Sequence, residues 1–105
     1  MSITRFTTPV QGLLVKGHDI TAKDVYVSIE QGTTELTLTG VRLSMTLTAD
    51  GDTEIDYTLT QEEAGSFNVK SPASIQVNWM DGGLRYATEM VKVRVFENLL
   101  DEVIS

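Results

Sequence analysis

Hydrophobic and polar residues alternate with period two along most of this chain, the mark of strands with one buried and one wet face. Val25, Val27 and Ile29 alternate with Tyr26, Ser28 and Glu30. After Gln31-Gly32-Thr33-Thr34, Leu36 and Leu38 alternate with Thr37 and Thr39 as far as Gly40. Leu43, Met45 and Leu47 then stand opposite Ser44, Thr46 and Thr48, and beyond Asp50-Gly51 the pattern resumes with Ile55, Tyr57 and Leu59. Two alternating runs around Asp-Gly predict a hairpin, because glycine accepts the positive φ of a tight turn.

Thr60 followed by Glu63 has the spacing of a capping box, so one helical turn is expected over Thr60–Gly65, with Gly65 as a left-handed stop. Phe67 and Val69 suggest a short return to strand before Ser71-Pro72 interrupts. Ile75, Val77 and Trp79 alternate with Gln76, Asn78 and Met80, and Asp81-Gly82-Gly83 predicts a second tight turn. Tyr86 and Met90 share one parity while Val91, Val93 and Val95 share the other, which points to a β-bulge between them. Trp79, on a central strand, is the expected main core aromatic, with Ile75 and Val77 beside it.

With Val10–Val15 as a further strand, the count is about seven to eight, at the turn spacing of an antiparallel β-sandwich. The expected fold is all-β with one short helical turn. A single domain spans residues 1–105, followed within it by a short tail from Glu97. Along that tail Leu99, Leu100, Val103 and Ile104 have the spacing of one or two turns of amphipathic helix, and they are the candidate interaction surface.

Composition strengthens the β assignment: 14 Thr, 11 Val and 6 Ile stand against 5 Ala. It also narrows the chemistry. No cysteine is present, and His18 is the only histidine, so thiol catalysis and thiolate or multi-histidine metal sites are excluded. A net charge of −7 disfavours nucleic acid and an anionic membrane surface. Six acids, Asp50, Asp52, Glu54, Asp56, Glu62 and Glu63, fall in a window from Leu43 to Val69 that lacks Lys and Arg. Their spacing departs from a calcium loop, since Gly51 follows the first acid directly and Ile55 and Tyr57 are core-like. No catalytic, cofactor-binding or metal-binding residue is expected, and no enzyme activity. Neither a signal-peptide core nor a run of ~20 apolar residues occurs.

Three segments carry a resemblance: Leu59-Thr60-Gln61-Glu62-Glu63-Ala64-Gly65-Ser66-Phe67, then Gln76-Val77-Asn78-Trp79-Met80-Asp81-Gly82-Gly83-Leu84-Arg85-Tyr86, and Glu97-Asn98-Leu99-Leu100-Asp101-Glu102-Val103-Ile104. Together with Ala87-Thr88-Glu89, which continues the second segment, Thr7-Thr8-Pro9, and Gly17-His18-Asp19-Ile20 through Asp24-Val25-Tyr26-Val27, they resemble a group of small proteins from prophages and tailed phages of Gram-positive gut bacteria. The pattern is also similar to the immunoglobulin-like N-terminal domain of upper-baseplate proteins, which implies an immunoglobulin-like sandwich. The resemblance implies a non-enzymatic phage structural or adaptor protein of tail or baseplate type. Its partners would be phage structural proteins and further copies of itself, in the bacterial cytoplasm during assembly and then in the virion. The alternative is a prophage-encoded host-interaction or regulatory binding protein.

Overall fold

The alternation is realised as nine strands in the computed structural model, which describes residues 1–105. They are β1 (Ser2–Thr4), β2 (Val10–Val15), β3 (Val25–Gln31), β4 (Thr34–Thr39), β5 (Ser44–Leu47), β6 (Thr53–Thr58), β7 (Ala73–Asp81), β8 (Leu84–Ala87) and β9 (Val91–Phe96). A 3-10 turn, Gly40–Arg42, and one helical turn, α1 (Gln61–Gly65), complete the set. One sheet runs β1-β9-β7-β3-β4, with β8 also on β7, and the other runs β2-β6-β5. All pairings are antiparallel except β1 on β9, where Ile3 lies beside Val95. This all-β arrangement has the strand order of an immunoglobulin-like sandwich, with β9-β7-β3-β4 as G-F-C-C′ and β2-β6-β5 as B-E-D.

The extra strands over the expected count are β1, which the three residues Ser2–Thr4 are too short to announce, and β8, separated from β9 by a bulge. Across Thr88–Met90 the pairing with β7 advances by one residue: Asn78 faces Ala87, whereas Ile75 faces Val91. That single step reconciles the parities, so Tyr86 lies opposite Trp79 while Val93 and Val95 point into the core. Thr88 bridges the gap, its N–H donating to Val77 O (2.9 Å) and its Oγ1 accepting from Val77 N (3.1 Å).

One core of 19 buried hydrophobic residues fills the space between the sheets, including Val27, Ile29, Ile55, Tyr57, Ile75, Val77 and Trp79. Trp79 is 3% exposed, on the expected strand. Tyr57 donates its hydroxyl to Gln11 Oε1 (2.7 Å), and Gln11 Nε2 donates to Ser2 O (3.1 Å), so the buried polar atoms are satisfied. Burial pushes the Tyr57 phenol well above its ordinary pKa.

Three expectations are corrected. Phe67 and Val69 form no strand: Phe67 is fully buried, but Arg5 Nε binds its carbonyl and Gln31 holds the next amide, so no neighbouring strand takes these backbone groups. Gly65 has no left-handed φ. It is required for space instead, since a Cβ there would lie 2.6 Å from Cδ1 and 2.7 Å from Cζ of Phe6. Leu47, at the end of edge strand β5, is exposed, although Leu43 of the same run is buried. No helix is long and apolar enough to cross a membrane.

Candidate interaction surface

The tail begins where β9 ends, beside the N-terminal segment, because β1 and β9 run parallel and deliver Arg5 next to Phe96. Arg5 N donates to Phe96 O (3.0 Å), which extends that ladder by one bond. Phe6, directly after, takes a left-handed φ of 58°, the only non-glycine residue to do so. This turn lays the Phe6 ring on Gly65 of α1 and leaves the Arg5 side chain running between α1 and the tail.

Arg5 uses its whole guanidinium. Nε donates to Phe67 O (2.8 Å), Nη2 to Gly65 O (3.1 Å), and Nη1 to both carboxylate oxygens of Asp101 (2.7 Å each). Asn98 Nδ2 donates back to Arg5 O (3.0 Å), and Asn98 Oδ1 accepts from Leu100 N (3.2 Å), turning the chain. Further along, Gln61 makes a reciprocal pair with the backbone of Ile104: its Nε2 donates to Ile104 O (2.8 Å) and its Oε1 accepts from Ile104 N (2.7 Å). Gln61 is presented by α1, whose capping box is formed as the sequence predicts. Thr60 Oγ1 accepts from Glu63 N (3.1 Å) and Glu63 Oε1 accepts from Thr60 N (2.9 Å). Arg42 closes on the same Glu63 carboxylate at 2.6 Å, and that hydrogen bond, with those from Thr60, holds the Glu63 pKa below its ordinary value.

The four predicted surface residues therefore share one strap, but not as a helix. No helical turn forms after Phe96. So short a segment does not nucleate a helix alone, and the pins at Asn98, Asp101 and Ile104 hold its backbone otherwise. Leu99 is wholly exposed, and Leu100, Val103 and Ile104 are 48%, 46% and 61% exposed. None plugs the sandwich, whose end is closed by the buried Ile3, Leu59, Ala64 and Phe67.

The remaining chemistry is dispersed. Asp52 Oδ1 accepts from Gly17 N (2.8 Å), Asp19 is engaged by Thr21, and no three acidic or histidine side chains converge as a metal site would require. His18 is exposed and packs on Trp79 (centroids 5.2 Å). Tyr86 stacks on that indole, 5.7 Å away. Arg85 points to the other face and donates to Asn78 (3.2 Å). Trp79 is thus a wall of the core with two exposed rings against it.

No protein-family model matches this sequence, and no curated protein matches it either. Sequence reasoning found the strap's apolar residues and missed what holds them. Arg5 and Gln61 carried no motif, since their partners lie 96 and 43 residues away in the chain.

Proposed function

We propose that the protein is a non-enzymatic structural or adaptor component of a phage particle, of tail or baseplate type, acting through protein–protein contacts made by its C-terminal strap. The observation that carries this reading is the strap's construction. Arg5 holds the Asp101 carboxylate and Asn98 and Gln61 hold the backbone, while Leu99, Leu100, Val103 and Ile104 stay in water. Ordering a terminal segment costs conformational entropy, and terminal segments fray unless tied down. Presenting apolar side chains on a pre-ordered backbone lowers the entropy lost when a partner covers them. The phage context comes from the sequence resemblance, and with it the route from bacterial cytoplasm to virion.

The test replaces the gene in the producing bacterium with one carrying Leu99→Asp and Ile104→Asp, and purified particles are examined by mass spectrometry. The expected result is wild-type chain in the particle and loss of the variant from it, with the melting temperature of the variant unchanged. Particles that lack the wild-type chain, or that take up the variant equally, would sink the reading.

A further inference from the structure

The smaller sheet ends at β2, and the residues of that edge fit a second copy of themselves. Leu59 N donates to Pro9 O (3.1 Å), so Pro9 and Leu59 are a hydrogen-bonded pair of the β2–β6 ladder. Alternation along an antiparallel ladder then turns the backbone groups of Gln11, Leu13 and Val15 toward β6, and those of Val10, Gly12 and Leu14 toward the open side. Those three residues have no hydrogen bond to any side chain or loop of the chain, and no strand lies on that side.

The side chains flanking this edge are apolar and wet: Val10 is 75% exposed and Leu14 50%. Between them Gly12 presents no side chain, and Val10–Val15 contains no charged residue. Natural edges of this length are ordinarily guarded by a lysine, a bulge or an inward charge. The other open edges differ. β4 turns Glu35, Thr37 and Thr39 outward, β1 has three residues, β5 four, and β8 four including the charged Arg85.

We infer that β2 pairs antiparallel with β2 of a second copy, about a two-fold axis at Gly12, joining the two small sheets into one. In this register Gly12 faces Gly12 of the second copy, and Val10 faces Leu14 twice. Two bonds form per facing pair, about six in all. The pairing is isologous, so the same patch serves both copies. No like charges meet across the strand pair. The net charge of −7 on each copy opposes association at long range, so added salt strengthens the dimer. This inference uses neither the strap nor the phage reading.

The test measures self-association by sedimentation velocity of the full chain. Wild type is expected to show a concentration-dependent dimer that increases with salt. Val10→Asp and Leu14→Lys, each alone, should weaken it by about tenfold or more, since each removes both apolar cross-strand pairs. The double variant should restore the dimer, because each introduced acid then faces an introduced lysine of the other copy. An equal mixture of the two single variants should likewise give a heterodimer. Melting curves of the single variants should stay near wild type, because both positions are on the wet face. A wild-type chain that stays monomeric at every concentration overturns the inference. So does a dimer that survives Leu14→Lys, or a double variant that stays apart. Removal of the strap after Glu97 should leave this dimer intact, which separates its failure from that of the proposed function.

Discussion

The two ends of the sandwich are built by different means. At one end, the β2–β3 loop, the β5–β6 turn and the β7–β8 hairpin meet, and the turns are set by glycines with positive φ: Gly51 (82°), Gly82 (59°) and Gly83 (81°). Short clamps join them, from Gly17 N to Asp52, from Ile20 N to Thr53 Oγ1 (3.0 Å), and from Lys23 to Asp81 (3.2 Å). Each loop there has its own local determinant. At the opposite end one side chain, Arg5, bridges the N-terminal segment, α1 and the strap. The first end loses one loop when one residue is changed. The second loses the relation among three segments.

The largest test of this contrast lies in the core walls behind each end. Trp79→Ala and Phe67→Ala should each cost ~3–5 kcal/mol, a large part of the ~5–15 kcal/mol typical of a small domain. Urea melts measure both. A Phe67 variant as stable as wild type would mean that the Arg5 end has no core behind it. Next in size, Arg5→Ala should cost about 1–3 kcal/mol, because it removes charge-assisted bonds to two backbone carbonyls. More diagnostic is hydrogen exchange at Ile104, whose amide should lose its protection although Gln61 is untouched. Retained protection would show that Gln61 alone holds the strap, and the contrast between the ends would shrink.

The smallest effect is electrostatic. Glu63 has a folded-state pKa below its ordinary value, chiefly through Arg42. Its contribution to stability is therefore complete above the ordinary carboxylate range and drains away as the pH falls through the folded value. The Arg42 side chain is 39% exposed, so solvent screening keeps this below about 1 kcal/mol. Melting temperatures followed from neutral to acidic pH should show that loss in wild type and less of it in Glu63→Gln. Parallel curves would place the acid sensitivity elsewhere.

What the sequence disclosed follows the same division. Asp50-Gly51 and Asp81-Gly82-Gly83 were legible because a tight turn needs glycine within a few residues of its strands. The capping box was legible because Thr60 and Glu63 satisfy one another, and the parity conflict after Tyr86 announced the bulge. Gly65 was visible as a glycine, but its reason is Phe6, far away in the chain. Likewise the apolar spacing from Leu99 to Ile104 was correct as a pattern and wrong as a helix. Periodicity records which side chains are apolar, and it is silent about a distant arginine that grips Asp101 and a distant glutamine that pairs with the Ile104 backbone.

The one-residue step at Thr88 makes the last strand sensitive to length in a way that surface segments seldom are. Ordinary connections absorb an inserted or deleted residue by bulging into solvent. Here the added residue is what brings Tyr86 against Trp79 and, a few positions later, Val93 and Val95 into the core. Losing one residue between them would force a choice: either the hairpin keeps its phase and the valines turn outward, or the valines keep theirs and Tyr86 leaves the indole. Among related chains, Glu89 and Met90 should therefore vary in composition while the segment keeps its length and a hydroxyl at Thr88.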